Sequence, residues 1–311
     1  MTARISGVLA PVVTPFRPDL APDADRWIAH CRWLLGNDVG LAVFGTNSEA
    51  NSLAVSERAD LLERLVAAGV DPGRLMPGTG TCAPTDTIRL TAQAVRLRCA
   101  GVLMLPPFYY KGVSDEGLFR SFAAVIEGVG DARLAIYLYH IPAVSQVPIS
   151  LALIERLLKA YPGTVVGIKD SSGDWGNTQA MLERFGPQGF DVFTGSETFL
   201  LANLRHGGRG CISATANVNP AAIAALHRRW QDGGAEAMQA ALDGVRAAFQ
   251  KFPLVAALKT AIAHWGRDPD WMRLRPPLTE LSPAQAGELI ESLEALGFSM
   301  PGLPAAGPSR R

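Results

Sequence analysis

Three features of this 311-residue chain could do carbonyl chemistry. Lys169 ends the apolar run Val165–Ile168 in TVVGIKDSSGD, Tyr139 ends LAIYLYHIP, and GTNSE (Gly45 to Glu49) follows VGLAVF. If the runs are strands, Val165, Gly167 and Lys169 share one face, as do Tyr137 and Tyr139. Burial of an amine disfavours its charged form, and a neutral amine attacks a carbonyl carbon to form a Schiff base. Gly167 removes the side chain beneath the lysine stem, so room for a ligand is expected there. A phenol at Tyr139 could shuttle the protons of that chemistry. The glycine-led turn carries Thr46, Asn47 and Ser48, and its backbone and side-chain donors suit a carboxylate. Each feature also has a plainer reading: a solvated lysine at a strand end, a packed tyrosine, and a polar loop capping the next helix.

These residues need elements to hold them. Short Val-, Ile- and Leu-rich runs alternate with helical patterns over the first 215 or so residues, which is the signature of repeated βα units. The strand candidates are Gly7–Val13, Val39–Phe44, Leu75–Gly78, Gly101–Leu105, Leu134–Tyr139, Val165–Ile168, Asp191–Thr194 and Gly210–Ser213. Eight such units predict a (β/α)8 TIM barrel of the α/β class, whereas open doubly wound sheets usually stop at five or six strands. In a barrel the C-terminal strand ends build the active site, and Lys169, Tyr139 and the GTNSE turn all fall there. Ser56 opens one helical pattern, Pro84 sits in a first turn, and Ser114 precedes DEGLFRSFAAVI. After Pro220 only helical patterns remain. The expected organisation is a catalytic barrel over 1–225, a C-terminal helical extension over 226–297, and a loose tail over 298–311.

Composition narrows the partners. The chain is 48% hydrophobic, with 29 basic residues against 29 acidic ones. That balance argues against an electrostatic grip on nucleic acid or an anionic membrane and favours a small-molecule ligand. No apolar run reaches the ~18 residues of a membrane span, and the opening MTARISGVLAPVV lacks signal-peptide organisation, so a cytoplasmic location is expected. Cys31, Cys82, Cys99 and Cys211 form no C-x-x-C pair and read as reduced thiols. The five histidines show no metal-ligand spacing, and no metal is expected. GTGTCA (Gly78 to Ala83) fits a dinucleotide fingerprint, but it follows the third strand and lacks the acid about twenty residues on that would hold a ribose. No cofactor is therefore expected.

Taken together, the strand ends resemble the dihydrodipicolinate synthase and N-acetylneuraminate lyase family of (β/α)8 pyruvate-type aldolases. The resemblance rests on GxxxE (Gly45 to Glu49), PPFYY (Pro106 to Tyr110), YHIP (Tyr139 to Pro142), GIKDSSGD (Gly167 to Asp174), TGSE (Thr194 to Glu197) and GCISATANV (Gly210 to Val218), in register at successive strand ends. It implies that Lys169 is the Schiff-base lysine for pyruvate or another 2-oxo acid and that Tyr139 transfers protons beside it. It implies that Gly45, Thr46 and Asn47 hold the substrate carboxylate, with Thr46 also in a hydrogen-bonded relay. Gly195, Glu197 and Ile212 would contribute to substrate binding. Tyr110, or adjacent Tyr109, corresponds to an aromatic that a neighbouring subunit lends to the relay, which implies a homodimer or homotetramer.

Departures from the family pattern bear on substrate. Val144 stands where the synthase has a carboxylate-binding arginine, and a neutral residue cannot replace that fork. Where the lyase has two adjacent acids, Glu197 is followed by Thr198. Ser48 replaces a glycine, and the Thr46–Asn47 pair is similar to the Ser-Asn of 4-hydroxy-2-oxoglutarate aldolases. The expected activity is a Schiff-base lyase that cleaves or forms a carbon–carbon bond, with an aldehyde as second partner. The alternatives are a dehydratase or deaminase of a 2-keto-3-deoxy sugar acid through the same iminium, and an inactive barrel that senses a small acid.

Overall fold

Unbroken apolar runs, with no polar residue every second position, form strands that are buried on both faces. In the computed structural model, which describes residues 4–304, these are β1 (Gly7–Ala10), β2 (Gly40–Leu41), β3 (Val102–Met104), β4 (Ile136–His140), β5 (Val165–Asp170), β6 (Asp191–Thr194) and β7 (Gly210–Ile212). All their residues are buried. Helices intervene, so the architecture is α/β. The described residues group into two compact units, 4–7 with 71–212 and 8–70 with 213–304.

In the first unit the strands lie in the order β7-β6-β5-β4-β3, all parallel. The expected third strand, Leu75–Gly78, is instead a single parallel bridge between Gly78 and Leu103. Leu103 N–H donates to Pro77 O at 2.9 Å and Thr79 N–H to Leu103 O at 3.1 Å, but Pro77 has no N–H to extend the ladder. The count of eight strands is thus corrected to seven among the described residues. Pro84 begins the helix Pro84–Arg96, and the Ser114 hydroxyl caps Asp115–Val129 by accepting from Gly117 N–H.

At the N-terminal end of β6, buried Asp191 meets Arg4 at 3.3 Å, Arg209 at 2.9 Å and the Tyr137 hydroxyl at 3.3 Å. The Tyr137 ring fills the space that two glycines leave. A Cβ on Gly167 would lie 2.6 Å from that ring, and one on Gly101 2.9 Å from it. This corrects the expectation that Gly167 opens room for a ligand: the room belongs to Tyr137, and the glycines are there for its packing.

In the second unit β1 and β2 pair in parallel, with Leu9 opposite Gly40 and Ala10 opposite Leu41. The helix expected to open at Ser56 starts at Val55, where the Glu57 carboxylate accepts from Ala54 N–H at 2.8 Å. The C-terminal patterns form helices Pro220–Arg229, Ala235–Gln250, Leu254–Gly266 and Pro283–Ala295. The Asn217 side chain ties the unit's two segments together, accepting from Val13 N–H and donating to Pro11 O and Ala214 O. Residues 298–304 of the expected loose tail pack in this unit, with Met300 buried and Trp33 Nε1 donating to Pro301 O at 3.0 Å. Residues 305–311 lie outside the described residues. No described helix is long and apolar enough to cross a membrane.

Candidate active site

The β4–β5 register sets Tyr139 opposite Lys169. Both side chains take the face occupied one step earlier by Tyr137 opposite Gly167, because strand residues two apart point the same way. Lys169 is 2% exposed and Tyr139 4%, and Lys169 Nζ lies 4.2 Å from the centroid of the Tyr139 ring. Among the described residues Lys169 forms no salt bridge, so its amine is buried against an aromatic face without a counter-ion.

The opposite face of the same strands anchors this pair. Asp170, also buried, accepts from Ser172 N–H at 2.9 Å, Asn177 Nδ2 at 3.1 Å and the Thr178 hydroxyl at 2.6 Å. It thereby fastens the loop after β5 to the helix Trp175–Phe185. The Asp170 carbonyl accepts from Gly195 N–H at 2.6 Å, and the His140 carbonyl accepts from Ser171 N–H at 2.7 Å. His140 Nδ1 accepts from Ile149 N–H at 3.0 Å, which assigns the neutral ring's proton to Nε2, 4.0 Å from Asp170. Burial holds the His140 imidazole below its usual pKa, and the Asp170 charge only partly opposes this. The short KDSSGD signature contained this anchor, and alternation turns Asp170 away from Lys169 because the strand runs on past Ile168 to Asp170.

The remaining expected residues are distributed as follows. Gly195 follows β6 so closely packed that a Cβ would lie 2.0 Å from Ser171 Oγ, so no other residue fits without displacing that side chain. Glu197 is 1% exposed at the start of a short 3-10 turn whose Ser196 hydroxyl accepts from Thr198 N–H, and Ile212 is fully buried on β7. Tyr110 is 73% exposed and Tyr109 74%, their rings meeting edge to face with centroids 5.3 Å apart. Their loop is tied down by Lys111, which donates to Phe108 O and, at 2.7 Å, to Ser145 O. The structure therefore brings Lys169 and Tyr139 together and leaves Tyr110 on the surface. Val144 is also exposed, at 61%.

In the second unit, Thr46–Ser48 form a 3-10 turn with Thr46 and Asn47 half-buried. Gly45 N–H donates to Ser48 Oγ at 3.2 Å. Glu49 closes the turn in the left-handed conformation, φ 55° and ψ 34°, and its buried carboxylate accepts from Lys259. Lys259 was missed from the sequence, where its signal was a lone charge in the apolar pattern LVAALKTAIAHWG. Among the described residues no group of three or more His, Cys, Asp or Glu side chains gathers as a metal site.

Comparison with known proteins places this geometry. Residues 4–296 match the model of the dihydrodipicolinate synthetase family. A DapA-like lyase of Chloroflexus aurantiacus is 33% identical over 294 residues, covering 93% of this chain and 96% of that protein. The crystal structure of dihydrodipicolinate synthase from Agrobacterium tumefaciens superposes with a TM-score of 0.87 at 33% identity, over 94% of this chain and 99% of that one. A prophage protein of the dihydrodipicolinic acid synthase family from E. coli K12, solved in complex with pyruvate, gives 0.86 at 28% identity, over 95% of this chain and 100% of that one. This chain belongs to the dihydrodipicolinate synthetase family and is a lyase.

Proposed function

We propose that this chain is a cofactor-free class I lyase in which Lys169 forms an iminium with pyruvate or a close 2-oxo acid. The observation that carries the reading is the buried Lys169 amine, facing the Tyr139 ring at 4.2 Å and in no salt bridge among the described residues. An amine in an ion pair must first be separated from its partner before its lone pair can attack; among the described residues Lys169 has no such partner.

In the proposed sequence the Lys169 nitrogen adds to the C2 carbonyl, and the carbinolamine loses water with Tyr139 relaying the proton to the departing oxygen. The iminium withdraws electrons from C3. In the cleavage direction the C4 hydroxyl gives its proton to the Tyr139 relay and the C3–C4 electron pair moves into the enamine. An aldehyde leaves, and C3 is then protonated. Water hydrolyses the iminium, releasing the 2-oxo acid and restoring Lys169. Condensation is the reverse. Gly45, Thr46 and Asn47 take the carboxylate, and Thr46 also joins the proton relay. Gly195, Glu197 and Ile212 take the rest of the substrate. The exposed Tyr110 ring fits a residue lent to a second copy of the chain, so the active form is at least a dimer. Neutral Val144 fits an aldehyde partner without a carboxylate.

The test is borohydride reduction with excess pyruvate, followed by intact mass and peptide mapping. A pyruvate-derived increment on Lys169 is expected. Absence of an adduct in folded protein with pyruvate and with every member of a 2-oxo acid panel, or an adduct on another lysine, overturns the reading. Product masses on a 2-oxo acid panel then separate carbon–carbon cleavage, which releases pyruvate, from loss of water or ammonia, which keeps the carbon skeleton.

A further inference from the structure

The turn that carries Thr46 and Asn47 is closed by a residue in an unfavourable conformation, held from outside the turn. Glu49 has φ 55°, a region that non-glycine residues rarely occupy unless their surroundings impose it. Its carboxylate supplies that constraint. One oxygen accepts from Lys259 Nζ and the other from Arg275 N–H at 3.2 Å, while Lys259 also donates to Arg273 O at 2.9 Å. Glu49 is 3% exposed and Lys259 fully buried, with the ammonium 4.5 Å from the centroid of the Phe16 ring. Glu49 N–H in turn donates to Thr46 O at 3.2 Å, closing the turn. On the other side, the Thr14 hydroxyl donates to Ser48 O at 2.7 Å.

We propose that the Lys259–Glu49 ion pair is a positioning device for the substrate-carboxylate turn: by fixing Glu49 it sets where the donors of Thr46 and Asn47 point, and so sets affinity for the 2-oxo acid. Neither residue is a catalytic residue on this account. The inference rests on the proposed function, because it assigns carboxylate binding to that turn. A pair serving stability alone could be replaced by neutral groups of similar volume at little cost. A positioning pair could be replaced in the same way without loss of folding, but not without loss of affinity.

The experiment measures the pyruvate concentration that half-saturates borohydride trapping on Lys169, together with the trapped fraction at saturation. Lys259→Met alone leaves the Glu49 carboxylate buried without its ammonium, so the variant to rely on is Glu49→Gln/Lys259→Met, which removes both charges at nearly constant volume. We expect the double variant to melt as a folded protein and to reach full trapping. Its half-saturating pyruvate should rise about tenfold, the effect of misplacing one hydrogen bond to a charged group. Lys259→Arg, which keeps the cation, should recover part of the loss. An unchanged half-saturation in the folded double variant overturns the positioning role while leaving the iminium intact. Failure of the unaltered protein to form any adduct overturns the iminium reading, and this inference with it.

Discussion

Two lysines are buried in this chain, and their surroundings put them to opposite uses. Lys259 lies in the second unit on the helix Leu254–Gly266, bonded to the Glu49 carboxylate and the Arg273 carbonyl. Burial pushes its pKa down to about 8 and holds Glu49 above the usual carboxylate range, while attraction between the two limits both effects. Lys169 lies in the first unit at the end of β5, against the Tyr139 ring and with no salt bridge among the described residues. A buried charge without a partner is costly, and folds rarely retain one for stability. On the proposed function one lysine is a fastening, and the other an amine left available at a cost to stability.

The largest effect expected from this contrast is on turnover. Lys169→Ala should lower kcat/KM by on the order of 10⁵-fold or more, as for removal of other covalent nucleophiles, with the circular dichroism spectrum unchanged. Substantial residual activity would dissolve the distinction between the two lysines. Tyr139→Phe should lower kcat by about 10²–10⁴-fold, the range of a lost general acid–base group, while borohydride still traps pyruvate on Lys169, but more slowly. Complete loss of trapping along with kcat would mean that no other donor, water included, protonates the departing oxygen once the phenol is gone.

Stability should respond with opposite signs at the two sites. Lys259→Met strands the Glu49 carboxylate and should cost about 3–5 kcal/mol in chemical denaturation, most of it recovered in Glu49→Gln/Lys259→Met. Lys169→Met removes an amine that has no counter-ion and should be neutral or stabilising by about 1 kcal/mol. Equal losses at both positions would show that Lys169 too is a structural residue.

A third buried base sharpens the comparison by giving up its charge altogether. His30 is 1% exposed, with ring centroids 5.5 Å from Trp33 and 5.1 Å from Trp271, and burial pushes its pKa down to about 3. Between about pH 6.5 and 3 the unfolded chain binds a proton at this histidine that the folded chain refuses. This contribution to stability is thus complete above pH 6.5 and is lost as pH falls, at up to about 1.4 kcal/mol per pH unit. Denaturant midpoints of His30→Phe should decline less over that window than those of the unaltered protein; parallel curves would assign the acid sensitivity to other groups.

Much of the frame and part of the candidate site could be read in advance. Apolar runs marked every strand, Pro84 and Ser114 marked helix starts, and Lys169 and Tyr139 stood at the ends of their runs. These signals are local, set by the two-residue period of a strand and by the donors a helix leaves unpaired. Three features escaped. Pro77 reduced a candidate strand to a single bridge, Tyr137 filled the space beside Gly167, and Asp170 became the anchor for the face behind Lys169.

The amino-acid sequence by itself determined the order of elements, the faces on which Lys169 and Tyr139 lie, and the family to which the chain belongs. Only the tertiary structure decided which buried lysine has a counter-ion. Glu49 and Lys259 are 210 residues apart, and an ion pair follows from distance and desolvation, which folding creates and residue spacing does not record.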